Sequence, residues 1–243
     1  MKKINYWLYE DENYEILKNS NNQCFVHHKS LNKYFFKNKA DIENGTQLSR
    51  KPIDYVFPLL LILGLVLYIY CVKSYWSADF QASNVNKVLL SLLVLVINVV
   101  LHEMGHVLCM RLYGRKIGKV KFSMNFIFPT ISVDTSESYM LPLFRRFYVY
   151  SSGLLVNIIF MSLVSFFFRS YIYINSGLII AVFLSMLPIG VIKTDGYHIF
   201  YNIILKKNDI KNKKSLFFWI MQILFVIICC IMSAGTIFKL YLK

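Results

Sequence analysis

Three ionisable side chains interrupt an otherwise apolar stretch, Leu101-His102-Glu103-Met104-Gly105-His106-Val107. Two histidines four residues apart project from one face of a helix, so both imidazoles can close on one metal ion. A glutamate between them can take a proton from a water that the metal activates, which is what a metallohydrolase needs. With 5 His among 243 residues, chance would produce this pattern in roughly one shuffled sequence in 400. The bland alternative is a set of polar helix residues hydrogen-bonded within a bundle. Ionisable groups inside a membrane segment are rare and usually functional, which weighs for a metal site.

A catalytic zinc commonly has three protein ligands and one open position. Asp195 is the only acidic residue between Glu137 and Asp209, and it lies in Thr194-Asp195-Gly196 at the foot of a later apolar segment. It is the leading candidate for the third ligand; its other reading is an interfacial residue that opens a turn. His198, three positions on, is the rival donor.

The elements that must position these residues are set by hydropathy. Of the 243 residues 56% are hydrophobic and 16% charged, where a soluble domain carries about 25% charged. Charge is absent from blocks 55–72, 88–101, 147–168, 170–192 and 215–238. A helix needs roughly 18 or more apolar residues to cross a bilayer. A soluble enzyme, a disordered tail and a secreted disulfide scaffold are therefore excluded. The expectation is an all-α polytopic membrane protein of about five transmembrane helices, at about 53–72, 88–112, 147–168, 174–192 and 215–238. The polar stretch 1–52 reads as a small N-terminal segment with short strands at 14–18, 23–28 and 33–36, a candidate for peptide recognition. Residues 53–243 form the membrane-embedded domain, with its core at about 88–200. The first apolar block begins too late for a signal peptide.

Basic residues choose the orientation. Of 27 Lys and Arg, 22 fall in 1–52, 111–146 and 193–214. Cytoplasmic loops accumulate such residues, so the N-terminus is expected inside and the C-terminus outside. The net charge of +14 then reflects membrane topology, and no nucleic-acid partner is implied. None of the five cysteines forms a CxxC pair, so neither a disulfide framework nor a cysteine zinc site is expected. His102 lies about 21 Å along its helix from Val88, toward the cytoplasmic half. The span leading to Asp195 runs the same way, so both arrive near one face.

Between these spans, Val120, Phe122, Met124, Phe126 and Phe128 alternate with Lys119, Lys121, Ser123, Asn125 and Ile127. Except for Ile127 this is a period-two strand pattern, interrupted at Pro129 and resumed by Ile131 and Val133. The segment 117–134 is expected as an interfacial β-hairpin with its apolar side toward lipid. Its open edge could align an extended peptide by main-chain pairing; alternatively it only caps the bundle.

With His102-Glu103-Met104-Gly105-His106, Ser152-Gly153-Leu154-Leu155-Val156-Asn157 and Thr194-Asp195-Gly196 in this order, the chain resembles the site-2 protease family of intramembrane zinc metalloproteases. Leu154 stands where members often have Pro, and Pro188 lies further before Asp195 than is usual. The resemblance implies a three-helix core in which His102, His106 and Asp195 hold Zn2+. It implies that Glu103 is general base and acid, and that Asn157 assists the substrate carbonyl or oxyanion. Gly153 and Asn157 read equally well as a packing site, small residue against helix and amide across helices.

The stretch from Phe128-Pro129-Thr130 to Ser138, followed by Arg145-Arg146, and Lys193-Thr194-Asp195-Gly196-Tyr197 narrow the likeness to the bacterial peptide zinc metalloprotease branch. That branch is associated with maturation of ribosomally made peptides. The implied function is hydrolysis of a peptide bond in a membrane-associated or precursor peptide, by a multi-pass protein of the bacterial cell membrane. One alternative is a non-catalytic metal-binding subunit for peptide export or immunity, against which an intact Glu103 argues. A di-iron lipid hydroxylase would need more histidine boxes than five His allow, and His27-His28 lie in the tail.

Overall fold

The computed structural model describes residues 5–21, 23–37, 45–77, 85–125, 128–187 and 194–200. The expected fifth span at 215–238, the C-terminus and Pro188 lie outside the described residues.

Among the described residues four helices carry the apolar blocks: α1 (Ile53–Ser77), α2 (Val85–Leu112), α3 (Leu143–Phe167) and α4 (Ile172–Met186). The first three are long and apolar enough to cross a membrane by length and composition, which marks a membrane protein. In α3, 56% of the apolar window is buried, against 17% in α1 and 22% in α2, so α3 is the central helix. It packs against α1, α2 and α4. Met161, Ile174, Leu178 and Val182 fill one core layer, and Met110, Leu141 and Val149 another. On α1, by contrast, Leu59, Ile62, Val66 and Ile69 are exposed, as a lipid-facing surface requires.

α4 has 15 residues, about 22 Å of helix, and is shorter than the expected span. The hydrophobic run does not stop at Met186, but the helix does. Leu187 is extended, and the chain re-enters a short helix α5 (Asp195–His198), with Thr194 as its N-cap.

The N-terminal segment holds more strand than expected. Five antiparallel strands, β1 (Tyr6–Glu10), β2 (Tyr14–Asn19), β3 (Cys24–His28), β4 (Lys33–Lys37) and β5 (Thr46–Gln47), form one sheet in the order β4-β3-β2-β1-β5. Three were expected. Tyr6-Trp7-Leu8-Tyr9 carries no apolar–polar alternation to reveal a strand, and β5 is too short to leave a signal. The hairpin is present as β6 (Val120–Asn125) paired with β7 (Phe128–Val133), with Val120 opposite Val133. Val120 and Phe122 are exposed, on the side expected to meet lipid.

One buried ion pair locks α1 to α3. Arg145 Nη2 donates to Asp54 Oδ2 at 2.7 Å, and Tyr113 Oη donates to Asp54 Oδ1 at 2.9 Å. The Asp54 side chain is 0% exposed. Removing one partner of such a pair leaves the other charge buried and uncompensated, at a cost of about 3–5 kcal/mol. Asp54→Ala is therefore expected to lower the unfolding midpoint strongly in detergent. Arg145→Met with Asp54→Leu should recover much of that loss.

Candidate metal centre

α2 delivers His102 and His106 on one face, and α5 delivers Asp195 to the same point. His102 Nε2 and His106 Nε2 are 3.2 Å apart. Asp195 Oδ2 lies 3.0 Å from His102 Nε2, and Asp195 Oδ1 lies 3.3 Å from His106 Nε2. The His106 residue is 4% exposed and the Asp195 side chain 12%. The same end of the bundle thus holds the two elements that sequence order separates by some ninety residues.

This donor set fits a zinc-class cation. Ligand atoms about 2.0–2.1 Å from a tetrahedral zinc stand about 3.3 Å from one another, close to the three separations found. Asp195 Oδ2 is buried and has no hydrogen-bond partner, although His102 Nε2 is near. The side chains converge on a shared point more than they bond to each other. The outer histidine nitrogens supply the complementary half. His106 Nδ1 faces the Val149 carbonyl oxygen at 2.7 Å. Its N–H donates there, which leaves the Nε2 lone pair directed inward.

Asn157, on α3, places its amide 2.9 Å from His102 Nδ1 through Nδ2, and Asn157 Oδ1 is buried without a partner. Amide nitrogen and oxygen are distinguished only by their hydrogen bonds. With the amide turned over, Oδ1 accepts the Nδ1–H of a metal-binding His102 and is no longer orphaned. In either orientation Asn157 touches a histidine on its outer side. The His198 ring stacks on Tyr150, centroids 4.9 Å apart.

Glu103 points to the hairpin, where Val133 N–H donates to Glu103 Oε2 at 2.8 Å. Asp134 N–H and C=O both bond back toward β6, to Lys119 O and from Gly118 N–H. By the alternation of an antiparallel ladder, the backbone groups of Val133 and Ile131 then face away from β6. The open edge beside Glu103 therefore belongs to β7. Burial works to raise the Asp134 carboxyl, but the bonds from Ser136 and the charge of Lys121 outweigh it and hold it below its ordinary value.

Two glycines let α3 approach this closely. A Cβ on Gly153 would stand 2.6 Å from His106 Nε2 and 2.7 Å from His102 Cε1, and one on Gly105 would stand 2.8 Å from the Ser152 carbonyl oxygen. Gly105 was not singled out in the sequence, although a glycine at an inner position of the histidine motif was a usable sign of close helix contact. Val149 and Val133 act through backbone atoms and leave no such sign.

No family model matches the chain, and no solved structure matches it. A protein of Bacillus subtilis (strain 168) named "Putative peptide zinc metalloprotease protein YydH" is 27% identical over 206 residues, covering 79% of this chain and 81% of that protein. The resemblance to the bacterial peptide zinc metalloprotease branch thus extends over most of both chains and supports a metalloprotease role.

Proposed function

We propose that this chain is a zinc-dependent intramembrane endopeptidase of the site-2 protease type, acting on a membrane-associated or precursor peptide in the maturation of a ribosomally made bacterial peptide. The observation that carries the reading is the convergence of His102 Nε2, His106 Nε2 and the Asp195 carboxylate, with separations of 3.0, 3.2 and 3.3 Å, beside the Glu103 carboxylate, which has an oxygen within 4.8 Å of a ring nitrogen of each histidine. His102, His106 and Asp195 would hold the ion. When bound, zinc lowers the pKa of water and polarises the scissile carbonyl. Glu103 takes the proton of the attacking water and passes it to the leaving amine; Val133 N–H fixes one of its oxygens, leaving the other for this work. Asn157 is read as the residue that orients His102, with the substrate oxyanion left to other donors. The direct test is to incubate the purified protein with peptides encoded beside its gene and follow products by mass spectrometry. Cleavage that a zinc chelator stops and added zinc restores supports the reading; no cleavage of any such peptide by the zinc-loaded protein counts against it.

Substrate is proposed to pair with the β7 edge before cleavage, because a helix must be drawn out before its peptide bond can reach the metal. Ser123 and Asn125 pair with Thr130 and Phe128 within the hairpin, so proline there would break the hairpin itself. Ile131 is the informative position, since its N–H faces outward. Proline cannot donate to a ladder. Ile131→Pro is expected to abolish cleavage with zinc content unchanged, while Ile131→Val stays near wild type. Wild-type cleavage by the proline variant would reduce the hairpin to a cap.

In the proposed orientation residues 1–52 and the hairpin face the cytoplasm, in a bacterial cell membrane. In a background without native cysteines, an impermeant thiol reagent added outside should label a cysteine at Ser77 and leave one at Ser136 unlabelled. The reverse pattern would put the metal centre in the outer half and remove cytoplasmic peptides as substrates.

A further inference from the structure

A second group of ligand-type side chains lies away from the first, where the N-terminal sheet meets the 3-10 helix Ser136–Met140. It consists of Glu15 on β2, His27 on β3 and Glu137 in that helix. Glu15 is 6% and His27 7% exposed. His27 Nδ1 lies 3.8 Å from Glu15 Oε2 and 3.8 Å from Glu137 Oε1, too far for a hydrogen bond to either. It is buried and has no hydrogen-bond partner.

The other side of the imidazole explains why this matters. His27 Nε2 faces Asn32 Oδ1 at 3.2 Å. With the Asn32 amide in this orientation its oxygen accepts the Nε2 hydrogen, and a neutral ring keeps its bare lone pair on Nδ1. The lone pair then points between two carboxylate oxygens. Such an arrangement repels itself unless something positive sits at the centre. Arg115 does not fill that place. Its Nη1 binds Glu15 Oε1 and stands 4.0 Å from Glu137 Oε2, and its Nη2 donates to the Met140 carbonyl at 2.9 Å. Each carboxylate thus gives one oxygen to the guanidinium and turns the other toward His27. Two carboxylates against one guanidinium leave an excess negative charge in a buried space. Around it, Tyr34 Oη donates to Glu137 Oε1 at 3.1 Å and the Tyr34 ring stacks on His27 at 4.3 Å, which fixes both in place.

We propose that His27 Nδ1, Glu15 Oε2 and Glu137 Oε1 form a second divalent-cation site, whose imidazole favours a zinc-class ion over magnesium or calcium. The separations are somewhat wider than in the first site, and small rotations of the two carboxylates close them. The hydrogen bond from Nε2 to Asn32 is the outer-side support that metal-binding histidines commonly have. A cation there clasps β2 and β3 to the segment that directly follows β7, whose Val133 holds Glu103. The N-terminal sheet is thereby fastened to the strand edge beside the first metal centre. This site does not depend on the proposed peptidase activity.

The test counts zinc per chain by elemental analysis, on full-length protein saturated with zinc in detergent and then desalted. His102→Ala with His106→Ala removes the first site and is expected to keep one zinc per chain. Adding His27→Gln to that pair should bring the content to none. In the His102→Ala/His106→Ala protein, zinc should also raise the unfolding temperature, and Glu137→Gln should cancel the rise. A His102→Ala/His106→Ala protein that holds no zinc overturns the proposal, whether or not the His27 variant folds. Retention of a full equivalent of zinc after His27→Gln also overturns it.

Discussion

Glu103→Gln is expected to abolish peptide hydrolysis while leaving zinc content unchanged. General acid–base catalysis by a positioned carboxylate contributes about 10²–10⁴-fold, and an amide of the same shape cannot accept the proton. The fold should tolerate the change. Val133 N–H donates to Glu103 Oε2 at 2.8 Å, and a glutamine oxygen accepts the same bond. The measurement is initial rates on a cleaved peptide, paired with elemental analysis of the same preparation. A rate within a few-fold of wild type would remove Glu103 from the proton path. Loss of metal together with activity would make Glu103 a ligand and refute the division of roles between it and Asp195.

The second large effect is expected from one methyl group. Gly153→Ala puts a Cβ 2.6 Å from His106 Nε2 and 2.9 Å from His102 Nδ1, so either the histidines turn or α3 retreats. Overpacking of this kind costs about 1–3 kcal/mol. Here the atoms displaced are the candidate ligands, so the cost falls on metal affinity, about one to two orders of magnitude. The protein should remain folded, lose one equivalent of zinc on dialysis and lose cleavage with it. Titration with zinc in the presence of a competing chelator measures the change. An unaltered affinity would show that α3 does not set the histidine geometry.

Gly153 also shows how far the chemistry was legible in sequence. The helical period brings His102 and His106 onto one face without tertiary information, and scarcity of acidic residues isolated Asp195. The spans were legible because a bilayer excludes charge, and 55–72 and 147–168 have none. Helix length was less so. Apolar residues continue past Met186, and hydropathy cannot register that the helix ends there to return at α5. The sheet was partly legible, since the turn-forming Asn19-Ser20-Asn21-Asn22 and Ser30-Leu31-Asn32 set off three of its strands.

What the sequence hid was contact made at long range or through the backbone. The Val149 carbonyl that fixes His106, the Val133 amide that holds Glu103 and the close seat of Gly105 on Ser152 belong to residue types found everywhere. Glu15, His27 and Glu137 are ordinary surface residues by type, and the chain between Glu15 and Glu137 runs through two helices and the hairpin. Only the packed fold shows a bare ring nitrogen between two carboxylates.

His102, His106 and Asp195 are proposed to hold one zinc. The measurement that tests it most directly is the difference in zinc content between the zinc-saturated wild-type protein and the His102→Ala/His106→Ala protein, prepared identically, with Asp195→Ala beside them. The double variant is expected to carry one zinc per chain fewer than wild type, and Asp195→Ala to weaken retention of that same equivalent. Equal zinc content in wild type and the His102→Ala/His106→Ala protein would contradict it.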